Sequence, residues 1–243
     1  MKKLSINLLS FFCVSLLCST QLFAYDEFSV TKFLDQKYCV NCDLAFAEAT
    51  NANLDGVIAH GSSFKEADLS HSSMVKADLN STRFIQAKLN WANLSSAEMK
   101  GSVFTSAKVR FVQFKNADLR GISAIAADFS YAQMSNANVA GSEFAKTIFK
   151  GADLSHTDLT QSNFQEADLT GASLVGAKMI GVYLQKANLT GSDFRKSDLT
   201  KANFTGATLE KTLFEGALLS EAIWTDGRVC ATGSVGECKQ KSK

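Results

Sequence analysis

The 243-residue chain contains no proline, where average usage would place roughly a dozen. Proline fixes φ and has no N–H to donate. Its complete absence excludes a chain built on ordinary loops and linkers, and points to a backbone in which nearly every N–H is in use. Charge of one sign is lacking too. The 25 Lys and Arg face 24 Asp and Glu, a formal +1, so there is no strong field with which to hold nucleic acid or an anionic membrane surface. Only three histidines occur, and no G-x-S-x-G, P-loop or G-x-G-x-x-G segment is present, which removes the common nucleophile and phosphate signatures. Six cysteines are too few for a small disulfide scaffold. What is abundant is apolar: 46% of residues are hydrophobic and 18 are Phe, the balance of a chain that buries a core rather than one that stays disordered.

The first 24 residues read as a secretory signal peptide. Lys2 and Lys3 are followed by an apolar stretch from Ile6 to Leu17 and by Ala24 before the polar Tyr25, Asp26 and Glu27. The stretch falls short of the roughly 20 apolar residues of a membrane span. Leu22 is larger than a cleavage site prefers, and Leu17 before Cys18 argues against a lipoprotein anchor. Cleavage after Ala24 would leave 23 basic and 24 acidic side chains, a formal −1, in a periplasmic or secreted protein.

From residue 44 onward, every position whose number ends in 4 or 9 belongs to one column, Leu44, Ala49, Leu54 and so on to Trp224, without a slip. Of these 37 central residues 34 are Leu, Phe, Met, Val or Trp, the exceptions being Ala49, Ala59 and Ala124. Two places before each centre, 36 of 37 positions hold Ala, Ser, Thr, Val or Cys. The one break, Ile122, shares a unit with Ala124, as a packed interior of fixed volume requires. A period of five is neither helical nor that of a simple strand, so a repeat architecture remains. One unit buries one large side chain, worth about 1.5–3 kcal/mol, against about 1–2 kcal/mol of backbone entropy for each of its residues. No unit folds alone, and stability has to come from stacking.

Units such as Ala67-Asp68-Leu69-Ser70, Ala77-Asp78-Leu79-Asn80, Ala167-Asp168-Leu169-Thr170-Gly171 and Ala187-Asn188-Leu189-Thr190-Gly191 resemble the pentapeptide-repeat family over residues 42 to 226. The resemblance implies an all-β, right-handed quadrilateral β-helix with four units per coil: nine coils and, at the strand spacing of about 4.8 Å, a rod of roughly 43 Å. Residues twenty apart then lie above one another. Phe64, Phe84, Phe104, Phe144, Phe164 and Phe204 fall on one side, so two opposite sides are expected to carry aromatic ladders and the other two aliphatic filler.

The domain reading is a signal peptide over 1–24, an N-terminal cap over 25–41, the β-helix over 42–226 and a C-terminal cap with a basic tail over 227–243. Residues 26 to 38, with Asp26 or Ser29 as cap and Phe28, Val30, Phe33 and Leu34 on one face, predict a short amphipathic helix. Phe33 and Leu34 would cover a first coil underfilled by Ala49 and Ala59. On a rod of that length the cysteine pairs at its two ends cannot meet, since a disulfide needs Cα atoms within about 7 Å. Two local bridges are therefore expected, Cys39–Cys42 and Cys230–Cys238, with no four-cysteine metal site and no cofactor.

His60, His71 and His156 map to different sides or corners and cannot converge on a metal. Asp78, Glu98, Asp118, Asp158 and Asp198 share a column, which keeps a carbohydrate-active β-helix enzyme as one alternative. The repeat itself, however, places Asp or Asn before each centre, where it can hydrogen-bond local backbone. A second alternative, implied by the resemblance, is a DNA-mimicking modulator of DNA gyrase; the neutral charge, with Lys88, Lys108 and Arg110 on one side, does not favour it. The least expected surface feature is the corner column His71, Trp91, Phe111 and Tyr131, either a binding strip for a protein or glycan or aromatic packing of a corner. Leu213, Leu218 and Ile223 stand where Asp or Asn is usual and predict cover by the C-terminal segment or by a second copy of the chain. The sequence reads as an exported, non-enzymatic binding or structural module that neither spans a membrane nor binds nucleic acid.

Overall fold

The computed structural model describes residues 27–239; the segment read as a signal peptide lies outside them. One helix, α1 (Glu27–Gln36), precedes the repeats. Ser29 is therefore inside the helix and does not cap it, while Asp26 is outside the described residues. The helix stops where Lys37 takes φ 52°, the left-handed conformation that closes many helices.

Beyond Tyr38 the chain winds in repeating turns, and parallel bridges join each partner to the residue twenty further on, from Tyr38–Ile58 to Asn203–Ile223. The pairing is that of a β-helix, but among the described residues there are isolated bridges and no longer strands. The reason lies in the unit. In residues 67–71, Ala67 N donates to Phe64 O (3.1 Å), closing a turn on the preceding centre. Asp68 N reaches back one coil to Ala47 O (2.9 Å), while Leu69 N and His71 N reach forward to Lys88 O (2.8 Å) and Asn90 O (2.9 Å). Ser70 N donates to Asp68 Oδ1 (3.1 Å), the local Asx bond that explains the Asp or Asn before so many centres. A corner every five residues leaves one bridged residue per side.

Each corner needs φ > 0 at the second residue after the centre, the third residue of a type II turn. All 37 such positions from Asn41 to Glu221 have it, yet only 12 are Gly. Proline is thereby shut out of the unit: one position forbids its φ, and the other four N–H groups of such a unit are committed.

The core is a column of central side chains with Ala, Ser and Thr beside them. Where the small residue is polar, it is buried with its hydroxyl satisfied: Ser102 Oγ donates to Leu79 O (2.8 Å) and Thr147 Oγ1 to Ala124 O (2.6 Å). Phe64, Phe84 and Phe104 stack at 5.3 and 4.9 Å between ring centroids. At Ala124 the ladder breaks, and Phe129 and Phe149, the two central Phe residues that stand off the aromatic sides, join it. Phe129, from the neighbouring side, turns edge-on to Phe104 (5.9 Å) and to Phe144 (6.3 Å) and meets Phe149 at 5.2 Å. The ring missing at 124 is thus supplied by Phe129 together with the bulk of the buried Ile122.

At the N-terminal end Phe33 is fully buried with its ring edge-on to Phe64 at 5.2 Å, and Val30 and Leu34 are half-buried. Cys39 is bonded to Cys42, with Cα atoms 5.6 Å apart. At the other end Cys230 is bonded to Cys238, Cα atoms 4.9 Å apart. The segment they close lies antiparallel on the last coil through Leu218–Val235 and Ile223–Val229. Its cover is backbone pairing: the Leu213 and Leu218 side chains point sideways and stay 48% and 45% exposed. Leu209, Phe214 and Trp224 remain half-buried against the end of the core.

Candidate functional site

The left-handed corner builds an extended aromatic surface. His71, Trp91, Phe111 and Tyr131 occupy equivalent corners with φ of 60°, 65°, 59° and 60°, so their Cα–Cβ bonds point outward in parallel at one-coil intervals. Their rings stack nearly parallel, with centroid separations of 6.3, 4.0 and 5.0 Å and interplanar angles of 6°, 4° and 9°. Trp91 is 52% and Tyr131 42% exposed, although each ring has a stacked neighbour. The exposed part is edge: the faces of Trp91 and Phe111 are occupied by the rings on either side. Arg110 places its guanidinium 5.6 Å from the Phe111 centroid.

Stacking returns about 0.5–1.5 kcal/mol per pair, whereas each left-handed non-glycine residue costs about 1–2 kcal/mol. Glycine would avoid that strain outright, as Gly151, Gly171 and Gly191 do in the same column.

Gly151 has a second role that the sequence did not reveal. Tyr131 folds over it, so that a Cβ at 151 would lie 2.7 Å from Tyr131 Cε1, whereas one at Gly171 would meet nothing within 4 Å. Gly171→Ala is expected to cost about 1–2 kcal/mol from backbone strain, and Gly151→Ala measurably more, because the terminal ring of the strip must also move. Urea unfolding of the two variants checks this, equal losses meaning that the ring contact carries no weight.

The three histidines do not converge. His60 Nδ1 lies 2.9 Å from Asp78 Oδ2, His71 ends the strip, and His156 leans over Gly176. Among the described residues no group of three or more His, Cys, Asp or Glu side chains could hold a metal ion. Nor is any helix among them long and apolar enough to cross a membrane.

The acidic column is aligned as expected, Asp78–Glu98–Asp118 and onward through Asp158 to Asp198, but its members are engaged. Asp118 takes hydrogen bonds from Arg120 Nε (2.9 Å) and Nη2 (2.8 Å), which hold its carboxyl below the usual carboxylate range. At Asp158 partial burial pushes upward, and bonds from Thr160 and Lys178 outweigh it, so that this carboxyl too is lowered. A general acid needs the opposite shift. On other sides, Asp193 is lowered by hydrogen bonds from Arg195, and Asp55 by one from the Ser73 hydroxyl. Folded pKa values below the unfolded value, near 3.9, make the stabilisation complete above that value and lose it as pH falls through the folded values. Tm should therefore be level from about pH 5 to 8 and fall below about pH 4, as thermal scans in low-salt buffers would register. A Tm unchanged down to pH 2 would contradict it.

A shallow depression lies between Val175, Arg195, Lys196 and Glu215, where Lys196 stands between the bare corners Gly176 and Gly216. The glycines at steps of twenty from Lys196 were the sequence signal for it.

The pentapeptide repeat region pattern matches residues 47–124 and 147–224, and a pattern of eight pentapeptide repeats matches 127–165. No curated protein sequence matches the chain. Among solved structures, a trypsin-treated variant of QnrB1, a plasmid-mediated fluoroquinolone resistance protein, is similar at 19% identity and a TM-score of 0.62, over 72% of this chain and 88% of that one. HetL, a pentapeptide repeat protein involved in heterocyst differentiation regulation in the cyanobacterium Nostoc sp. strain PCC 7120, aligns at 26% identity over 78% of this chain and 92% of its own, with a TM-score of 0.30. The fold shared with the QnrB1 variant is the right-handed quadrilateral β-helix, and the matched repeats, which together span residues 47–224, show that the chain belongs to the pentapeptide repeat family.

Proposed function

We propose that the protein is an exported, non-enzymatic binding module in which a nine-coil rod over residues 42–226 presents the strip His71, Trp91, Phe111 and Tyr131 to a protein partner. The observation that carries this reading is the strip itself: four aromatic residues stacked at successive corners, with Trp91 more than half exposed. Export over residues 1–24 is supported by the two bonded cysteine pairs, which persist in oxidising compartments. The end segments 25–41 and 227–243 act as caps. A protein fits better than a glycan, since a sugar ring docks on an open aromatic face and the two middle rings offer only edges. Trp91→Ala/Phe111→Ala tests the reading: the mature variant should fold as the parent does, yet retain at most a tenth of the partner that the parent captures from an envelope fraction. Equal capture would discard the strip as a site.

A homodimer through the last coil is supported by Leu213 and Leu218, exposed sideways next to Ile223, and by the half-buried Phe214 at the end of the core. Light scattering on the mature protein separates monomer from dimer. The resemblance of the repeats to the pentapeptide-repeat family keeps modulation of DNA gyrase as a second reading, and a supercoiling assay decides it. The pairing of Asp68, Asp118, Asp158 and Asp193 with Lys or Arg leaves the rod without the negative surface of a DNA mimic, so no effect on supercoiling is expected.

A further inference from the structure

We propose that the aromatic strip receives an extended, acidic segment of a partner protein. This rests on the reading of the strip as a contact surface and adds the chemistry of its occupant.

An aromatic ring is electronegative on its face and electropositive at its edge. Because the rings are stacked within 4–9° of parallel, the faces of the middle two are covered and their edges line the solvent side, so the strip offers the anion-seeking part of each ring. The polar groups beside it have the same bias. Asn90 Oδ1 accepts the backbone N–H of Arg110 (3.1 Å), and Asn93 Oδ1 accepts both the N–H (3.1 Å) and the hydroxyl (2.7 Å) of Ser95. Each asparagine thus uses its carbonyl within the fold, and among the described residues its amide N–H groups have no partner.

Charge follows the same pattern. On the two sides that meet at this corner, the stretch from 68 to 133 carries Lys88, Lys108, Arg110 and Lys115 against Asp68 and Asp128. Both carboxylates are already taken, Asp68 by Lys88 (3.2 Å) and Asp128 by Arg110 (3.7 Å). Lys108 and Lys115 have no ion pair among the described residues and flank the Trp91–Phe111 stack. The surface therefore presents ring edges along three coil steps, with the amide donors of Asn90 and Asn93 on the coil of Trp91, the ammonium groups of Lys108 and Lys115 on either side of Phe111 one coil further on, and, among the described residues, no carboxylate outside an ion pair. The four corners succeed one another at one-coil steps of about 4.8 Å, a straight line that an extended segment can follow. Carboxylates alternating along an extended segment, about 6.6–6.8 Å apart on one side, can meet donors and ammonium groups while the intervening apolar side chains lie on the ring edges.

The test is a selection from a phage-displayed random 12-residue peptide library on the immobilised mature protein, followed by affinity measurements with four proteins: the parent, Trp91→Ala/Phe111→Ala, Lys108→Glu/Lys115→Glu, and Lys186→Glu as a control on a distant corner. The proposal expects enriched peptides to be rich in Asp and Glu, to bind at least tenfold more weakly to both double variants, and to bind Lys186→Glu like the parent. Enriched peptides that are neutral or basic, that lose binding to the aromatic variant but not to the charge-reversed one, would overturn the acidic occupant and leave the strip as a site. Peptides that bind all four proteins alike, or no enrichment at all, would overturn both. Preferential binding of polygalacturonate or an oligonucleotide over the acidic peptides, lost in the charge-reversed variant, would assign the surface to another anionic polymer and overturn the proposal. Circular dichroism and Tm of each variant confirm that it is folded.

Discussion

Gln113→Pro is expected to destabilise the protein by about 3 kcal/mol or more, while Gln113→Ala at the same exposed position changes stability by no more than about 0.5 kcal/mol. The Gln113 side chain points outward, and its N–H donates to Ala92 O on the preceding coil at 3.0 Å. Proline removes that donor, leaves a carbonyl in the middle of the ladder without its partner, and pushes its ring into the space the hydrogen bond occupied. In a globular fold such damage is local. In a solenoid each coil touches only its neighbours, so a fault in the middle divides one cooperative unit into two. Thermal unfolding followed by circular dichroism should show a lower and broader transition. A Tm within two degrees of the parent would refute the view that the absent prolines reflect ladder bonding.

The second large effect concerns the break at Ala124. Phe129→Ala should cost about 3–5 kcal/mol, the range for a buried Phe truncated to Ala, because that ring contacts Phe104, Phe114, Phe144 and Phe149 and no large central side chain at 124 can relax into the hole. Ala124→Leu alone adds volume to a filled site and should cost about 1–3 kcal/mol. Combined, the two should be less harmful than their sum by at least about 1 kcal/mol, since the new leucine occupies part of the space left by the ring. Urea denaturation of the four proteins completes the cycle, and strict additivity would mean that the two positions do not share a cavity.

Both effects follow from features whose visibility in the sequence differs. The five-residue column, the unbroken phase and the step of twenty were legible from Leu44 to Trp224, because a repeat states the same constraint many times. The stacked placement of Phe64, Phe84 and Phe104, and of His71, Trp91, Phe111 and Tyr131, followed from that step alone. The role of Phe129 was not legible. It depends on how far a ring on one side reaches across the axis, which a column index does not contain. Nor could the sequence decide whether the corner rings stack or splay. Parallel stacking results from a common left-handed φ, shared by glycine and non-glycine corners alike.

The ends show the same division. The cysteine spacing and the apolar residues of 28–34 marked both caps, but not their manner of cover. At the N-terminal end a buried ring, Phe33, closes the core. At the C-terminal end a disulfide-closed segment pairs by its backbone with residues 218 and 223, and leaves Leu213 without such a partner.

By itself the sequence determined the period, the inside and outside of every unit, the alignment of its columns and the exclusion of proline, because these are one-dimensional consequences of a chain that repeats. Only the tertiary structure decided which ring fills the gap at Ala124, that the aromatic strip shows edges rather than faces, and that the amides and lysines beside it are left as donors. Each of these depends on distances between side chains from different coils, and on hydrogen bonds already spent within the fold.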